Sequence, residues 1–415
     1  MRQSPFWWIL IGFMILLDLY VFQALRVITQ PAGHRTRLII HAGYWLLSVG
    51  AIVMLLILPY LHFHNQARFI RTTIFALLAG LFFAKITASI FFVVDDARRG
   101  VKWAAGKLRK AKPTAIEDDS EKISRSLFLS WTGMLVGGGV LGSLIWGFGN
   151  KYRYRVRRQQ LSFTNLPDSF RGLRIAQISD IHAGSFNDRE SVLRGVLKIQ
   201  ELQPDLILFT GDLVNNIADE MDDYAEVFAR LRAPMGVYSV LGNHDYGDYV
   251  SWTSRSEKEK NLERLKQVHA AMGWRLLLNE HVVLEKGSDK IALLGIENWS
   301  AKARFPKYGD LQQAHRGTEN FPFKILLSHD PSHWKAEVCR LYPDVDLMLS
   351  GHTHGMQFGV EIPGLKWSPV QYVYREWAGL YENANQRLYV NRGFGFIGYP
   401  GRVGILPEIT LLELV

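Results

Sequence analysis

The chain has 415 residues, enough for two or three domains, with a formal net charge of +9 and one cysteine, Cys339. A single cysteine excludes an intramolecular disulfide, a zinc ribbon and any metal site built on paired thiolates. Much of the positive charge gathers at 98–112 and 151–158, beside apolar segments, where basic clusters set membrane topology or meet anionic lipid head groups rather than nucleic acid.

The long apolar runs fall in the first 150 residues. Four are long enough to cross a bilayer, which takes about 20 apolar residues: 6–25, 38–61, 72–94 and 127–149. The first is too long and too poorly flanked for a cleaved signal peptide, and three more spans follow it. The fourth is rich in glycine, which lets helices pack closely in lipid. Two charges interrupt the runs, Asp18 in the first and Lys85 in the third. These two spans point the same way and each charge lies about a dozen residues in, so the spacing predicts an ion pair, either a structural clamp or part of a proton or substrate path. Between spans three and four lie Arg98, Arg99, Lys102, Lys107, Arg109, Lys110, Lys112, Lys122 and Arg125; after span four, 151-KYRYRVRR-158 adds five more basic residues, while Arg2 stands at the N-terminus. By the positive-inside rule the larger cluster is cytoplasmic, and the domain that follows span four is expected on the extracytoplasmic side.

From about residue 160 short apolar runs alternate with amphipathic helical stretches, the pattern of an α/β domain. The expected domains are therefore 1–150, all-α and membrane-spanning, and 151–415, α/β. Strands are predicted at 173–179, 206–210, 236–241, 291–296, 324–328, 346–350 and 407–414, and helices at 188–202, 219–232, 256–272 and 332–340. Five of these strands end in residues that carry chemistry: 180-DIH-182, 211-GD-212, 242-GNHD-245, 329-HD-330 and 351-GHTHG-355. In open α/β sheets the ligand site lies beyond the carboxyl ends of the strands, so these residues should converge. Any one of them alone reads as a turn former or a helix cap. Together Asp180, His182, Asp212, Asn243, His329, His352 and His354 offer oxygen and imidazole donors and no thiol, a set that suits two divalent ions, manganese first, with zinc or iron as alternatives. Asp180 and His182, like His352 and His354, are two apart and can grip one ion together.

The five blocks in this order resemble the calcineurin-like metallophosphoesterases, over roughly residues 160–415. Downstream, 367-WSPVQYVYREWAGLY-381, 389-YVNRGFGFIGYPGR-402 and 407-PEITLLEL-414 are similar to a membrane-anchored bacterial subfamily with an N-terminal multi-span region. That subfamily often carries twin arginines before its last apolar segment; here 124-SRSLFLS-130 has one. The resemblance implies a β-sandwich flanked by helices, of αββα type, on a four-helix transmembrane bundle, in a multi-pass protein of the inner (cell) membrane. Asp180, His182, Asp212 and His354 would hold one ion, and Asp212, Asn243, His329 and His352 the other, with Asp212 as the bridge. His244 would be a catalytic proton donor and Asp245 would orient it.

Two cations in such a site polarise a phosphoryl group and present a bridging hydroxide to it, so no protein nucleophile is needed and none is evident. The expected substrate is a phosphodiester, pyrophosphate or phosphomonoester of a lipid or lipid-linked precursor, since only about 30 residues separate span four from Asp180. Arg375 and Arg402 are candidates for a second phosphate. The aromatic residues Trp367, Tyr372, Tyr374, Trp377, Tyr381, Phe394, Phe396 and Tyr399 are either core or an acyl-chain contact, and 246–261 could form a lid. Rival readings are a tethered phosphodiesterase or phosphatase acting on soluble substrates, and a non-catalytic membrane sensor or transporter. The expected partners are the lipid bilayer and its phosphoesters, with no nucleic acid; the oligomeric state stays open.

Overall fold

The computed structural model describes residues 5–61, 68–108, 125–305 and 307–415. Arg2, Arg109, Lys110, Lys112 and Lys122, counted above for topology, and Ser124 lie outside the described residues. The chain divides into two compact units, Met1–Trp146 and Gly147–Val415.

The first unit is helical: α1 (Pro5–Thr29), α2 (His34–Ile57), α3 (Arg68–Leu108) and α4, which begins at Arg125 and ends at Gly147. All four are long and apolar enough to cross a membrane. The third exceeds its predicted span at both ends. Arg98, Arg99, Lys102 and Lys107 therefore sit on a helical extension rather than in a loop, with Arg98 and Arg99 paired to Asp95 and Asp96 one turn back. Leu17, Val21 and Ala24 of α1 pack on Ala88 and Phe92 of α3. The glycines of α4 act as expected. A Cβ on Gly137 would lie 2.5 Å from the Ala84 carbonyl oxygen, and one on Gly133 2.8 Å from that of Ala88, so α4 can approach α3 only because both positions lack a side chain.

The charges at 18 and 85 are joined. Lys85 Nζ bonds to the Asp18 carboxylate and donates to Ser48 Oγ at 2.8 Å, while Tyr44 OH donates to the Asp18 backbone oxygen at 2.7 Å. Breaking one side of such a buried pair leaves an uncompensated charge. Asp18→Asn or Lys85→Met alone should therefore cost about 3–5 kcal/mol. The double variant should recover most of that loss, as read by thermal melting of the detergent-solubilised chain. A double variant as unstable as the sum of the singles would refute the clamp.

The second unit is built on two six-stranded sheets. The first runs in the order β1 (Arg155–Leu161), β14 (Glu408–Leu414), β2 (Leu173–Ile178), β3 (Leu206–Phe209), β4 (Val237–Ser239) and β5 (Arg275–Leu276). Strands β2 to β5 are parallel, and β14 lies antiparallel to β2 and parallel to β1. The second sheet runs β12 (Gly379–Asn383), β13 (Gln386–Val390), β9 (Leu347–Ser350), β8 (Lys324–Leu327), β7 (Asp289–Gly295) and β6 (Glu280–Lys286), parallel at its centre with an antiparallel strand at each edge.

Central strands buried on both faces are continuously apolar, which is why 206-LILF-209 and 347-LMLS-350 carry no polar alternation. Alternate residues serve different layers. Leu173, Ile175, Leu206 and Leu208 meet Leu293, Ile325, Leu327 and Leu349 between the sheets. Ile178, Ile207 and Phe209 face outward onto Val192, Val196 and Ile199 of α5 (Arg189–Glu201), and the same outer layer takes in Leu265 of the helix at Arg255–Ala271. Leu294, Leu326 and Met348 face the opposite way, onto Trp334 and Val338. The architecture is thus the expected sandwich between helical layers.

Local differences have physical causes. The helix predicted over 219–232 breaks into Ala218–Met221 and Ala225–Phe228, because Asp222 and Asp223 are poor helix formers and Tyr224 leaves the helical region at φ −120°. The stretch at 332–340 is a π-turn over Trp334–Val338, running into Cys339–Leu341. Of the basic cluster at 151–158, Arg155, Arg157 and Arg158 lie on β1, and Arg157 is paired with Glu361 at 2.5 Å.

Glu408, the first residue of β14, and Arg392, just past β13, form a buried ion pair, with Tyr389 OH donating to Glu408 at 2.7 Å. Burial opposes the Glu408 charge, but Arg392, Thr410 and Tyr389 outweigh it and hold the carboxyl below its usual range. Its contribution is present above the ordinary glutamate pKa and is lost as pH falls through the lower folded value. Arg392→Met should cost about 3–5 kcal/mol in denaturant unfolding at neutral pH.

Candidate metal centre

The ends of β2, β3, β8 and β9, with the loop after β4, meet at one end of the sandwich. Asp180, His182 and His354 form one donor group, and Asp212, His329 and His352 a second; within each, the donor atoms lie within 4.8 Å of one another. His354 Nε2 is 3.3 Å from Asp180 Oδ1. Asp212 reaches both groups through a single oxygen: Oδ2 is 3.1 Å from His329 Nε2 and 3.5 Å from His182 Nε2. Its other oxygen accepts the backbone N–H of His244 at 2.9 Å.

The backbone is bent to achieve this. Asp180, His182, Asp212, His352 and His354 all have φ between 50° and 73°, the left-handed region that side-chain-bearing residues rarely enter. Strain of this kind costs on the order of 1–3 kcal/mol per residue and persists where the fold over-determines it, chiefly at functional sites. The glycines beside these residues make room. A Cβ on Gly351 would strike Ser179 Oγ and the Asp180 carboxylate, and one on Gly242 would strike the Asp212 carboxylate.

The donors are left open for a cation. Both ring nitrogens of His182, Nε2 of His354 and Oδ1 of Asn243 are buried with no hydrogen-bond partner. Buried polar atoms are seldom orphaned; one ion would account for His354 Nε2 and for one ring nitrogen of His182, and a second for Asn243 Oδ1. Asn243 spends its amide group on Tyr249 OH at 2.8 Å, which leaves the oxygen as its free donor. Burial pushes His182 down to about 3 and His352 to about 4, so these imidazoles are neutral and able to ligate. Burial opposes the charge on Asp212, but His329 beside it, by charge and by hydrogen bond, does most to outweigh burial and hold the carboxyl well below its usual range.

Groups outside the donor set fix its orientation. The Thr210 carbonyl takes His329 Nδ1–H at 2.7 Å and leaves Nε2 facing Asp212. His352 Nε2 lies 2.8 Å from Tyr374 OH, which donates to Asp330 at 3.2 Å, so Nδ1 is the free nitrogen and lies 3.3 Å from His329 Nε2. Such supporting bonds set the tautomer of a ligating imidazole. Sequence reasoning did not assign this part to Asp330 or Tyr374, although the dipeptide 329-HD-330 was a visible signal.

His244 is half-buried beside the donors, its ring 5.0 Å from that of His182 and 4.5 Å from that of Tyr249. Its Nδ1 bonds to the Asn215 carbonyl at 2.7 Å. Asp245, expected to orient this ring, does not touch it. Its carboxylate accepts the backbone N–H groups of Asp212, Leu213, Val214 and Gly242 at 2.8–3.2 Å and so fixes the loop that carries Asn215. Burial, reinforced by Asp212, pushes the Asp245 carboxyl up to about 7.

One other expectation is corrected. Arg402 is wholly buried, and its guanidinium donates to the carbonyls of Arg392 (2.7 Å), Gly395 (2.5 Å), Gly393 (3.2 Å) and His354 (3.3 Å), so it presents no surface to a phosphate. Of the downstream aromatics, Tyr374, Trp377, Phe394 and Phe396 are core, while Tyr372 is exposed. The second half of the expected lid, from Arg255, is the start of a helix.

Residues 1–150 match the family model described as a probable calcineurin-like phosphoesterase transmembrane domain, and residues 173–356 match the calcineurin-like phosphoesterase model. An uncharacterized metallophosphoesterase of Bacillus subtilis, YkuE, is 32% identical over 307 residues, 71% of this chain and 98% of that protein. A transmembrane protein with metallophosphoesterase domain from Danio rerio is 32% identical over 264 residues, 61% of this chain; the chain spans only 56% of that protein's length. The UDP-2,3-diacylglucosamine pyrophosphatase LpxG of Chlamydia trachomatis is 28% identical over 305 residues, 61% of this chain and 88% of that protein. With its four apolar helices and its two donor groups joined by Asp212, the chain belongs to the calcineurin-like metallophosphoesterases, in a form that carries a transmembrane domain.

Proposed function

We propose that the protein is a membrane-anchored, dinuclear-metal hydrolase of a lipid or lipid-linked phosphodiester, pyrophosphate or phosphomonoester. The observation that carries the reading is the single Asp212 oxygen between two donor groups, with His244 beside them. Asp180, His182, Asp212 and His354 would hold one divalent ion, and Asp212, Asn243, His329 and His352 the other, manganese being the first candidate. Such a pair supplies Lewis acidity and hydroxide at neutral pH. The chain's own residues do the rest. Asp212 would serve both ions, and its Oδ1 holds the His244 backbone N–H. The Asn215 carbonyl keeps the proton of His244 on Nδ1, so that Nε2 is the nitrogen available to carry a proton to a leaving oxygen. Asp245 maintains that arrangement through the loop it binds.

Three facts support a lipid-linked substrate: the four apolar helices, the chain of about 30 residues between the fourth and Asp180, and the diacylated substrate named for the Chlamydia relative. The basic residues between spans three and four support an extracytoplasmic domain, which a reporter fused after Val415 would locate. The activity is tested on the full chain in detergent, stripped of metal and reloaded with manganese, zinc or iron, against an aryl phosphodiester and an aryl monoester. Hydrolysis that returns with metal is the expected result, and the ratio of the two rates indicates the ester class. Two bound ions per chain with neither ester cleaved would favour a binding module.

A further inference from the structure

The hairpin of β10 (Val360–Ile362) and β11 (Leu365–Trp367) is amphipathic in the inverse of the usual sense. Val360 pairs with Trp367 and Ile362 with Leu365, which puts these four apolar side chains on one face. That face looks outward: Ile362 is 58% exposed, Leu365 50% and Val360 40%. On the other face Glu361 turns toward the domain, while Lys366 is exposed along its length and reaches back with its amine; Trp367, on the apolar face, is half-buried. Glu361 is paired with Arg157 at 2.5 Å and Arg392 at 2.8 Å, and Lys366 donates to the Ala378 carbonyl at 2.5 Å and lies over the Trp377 ring. The tip is a Pro363–Gly364 turn with Gly364 at φ +80°, which holds Ile362 and Leu365 at its end. A hairpin against water places its apolar side on the core and its polar side out. This one turns Val360, Ile362 and Leu365 outward and ties the half-buried Glu361 to the domain, so its outer face is suited to an apolar surrounding.

The occupant follows from where the fourth span ends. Gly147, the last residue of α4, accepts the Arg402 backbone N–H at 2.9 Å, and Asn150 donates to the Arg402 carbonyl at 3.1 Å. On its other side the same segment holds the strand that enters the hairpin: Val403 N–H donates to Gln357 and Gly359 N–H to Val403, each at 2.8–2.9 Å. Through residues 402 and 403, then, the chain leaving the bilayer and the base of the hairpin are held together. We propose that the 360–367 hairpin inserts its Val360, Ile362, Leu365 and Trp367 face into the lipid head-group and acyl boundary of the same membrane that α4 crosses. The partner is a lipid surface. His354 begins the 354–359 stretch that leads into the hairpin, and its carbonyl is bonded to Arg402, so insertion presents the metal centre to phosphoesters at the membrane surface. This deepens the lipid-substrate reading, but its test does not depend on turnover.

The experiment uses the full chain with Cys339→Ser, reconstituted in vesicles of phosphatidylcholine and phosphatidylglycerol. A nitroxide is attached through Ile362→Cys or Leu365→Cys, and in a control through Lys286→Cys, an exposed residue of the β6–β7 turn. Collisions with oxygen, which partitions into lipid, are compared with those of a water-soluble nickel chelate. The expected result is oxygen in excess at 362 and 365 and chelate in excess at 286. Equal behaviour at all three positions would put the hairpin in water and overturn the proposal. Protection of 362 and 365 from both agents would overturn it too, because the cover would then be protein, from this chain or a second copy. Loss of hydrolysis with the oxygen excess retained would count against the activity and leave the insertion standing.

Discussion

Asp212→Asn is expected to abolish tight binding of both metal ions and to lower turnover by about three orders of magnitude, the equivalent of roughly 4 kcal/mol of transition-state stabilisation. The two carboxylate oxygens of Asp212 have different tasks. Oδ1 accepts the His244 backbone N–H, a bond that an amide oxygen can keep. The amide nitrogen must then replace Oδ2, the atom 3.1 Å from His329 Nε2 and 3.5 Å from His182 Nε2. The site loses a negative charge and gains N–H bonds directed at the position where two cations would meet. The fold should survive, because asparagine tolerates the left-handed conformation that Asp212 adopts at φ 61°. The measurement is metal content of the purified variant beside its melting temperature. Two ions per chain in a folded Asp212→Asn protein would rule out the bridging role.

Much of this site was legible because its side chains follow apolar strands directly. A strand such as 206-LILF-209 is recognisable from its burial pattern, and what stands after it is then placed at the sheet end by topology alone. Spacing did the rest for 180-DIH-182 and 352-HTH-354. The groups that were not legible act through the backbone or through the tertiary fold. Asn215 holds His244 by its carbonyl, and every residue has a carbonyl. Asp245 binds four backbone N–H groups of loops that meet only in the folded chain. Arg402 read as a candidate for a second phosphate, yet its side chain is buried among the carbonyls of Arg392, Gly393, Gly395 and His354, contacts that only the folded chain brings together.

The same division holds for the fold. Central strands showed as apolar runs; edge strands did not. In β1, RVRRQQL, only Leu161 is buried, so its residues read as a basic cluster, and its place in the sheet comes from backbone pairing with β14. The strands β12 and β13 flank a turn with Ala384 at φ 50° and carry mixed polar residues, a pattern without clear period. The ion pair of Asp18 and Lys85 was readable for the opposite reason: a charge in an apolar span has few tolerable partners, and depth selects among them.

His244→Ala should lower kcat by about 10²–10⁴-fold with both ions retained, the range expected for loss of one proton-transfer group. The ring is outside both donor groups, so metal content should be unchanged. Its Nδ1 is committed to the Asn215 carbonyl and its face to Tyr249, which leaves one nitrogen for chemistry and little freedom in where that nitrogen points. A proton donor matters in proportion to the basicity of the oxygen that departs. The loss should therefore be small for an activated aryl ester, whose phenolate leaves unaided, and large for an alkyl ester, whose alkoxide does not. If His244 only stabilised charge on the phosphoryl group, the two esters would lose rate by the same factor. Comparing the variant with the parent protein on an aryl and an alkyl phosphodiester thus separates the two roles. An equal loss on both would move His244 from proton donor to charge stabiliser, and a loss accompanied by depleted metal would mean that the ring supports the donor groups.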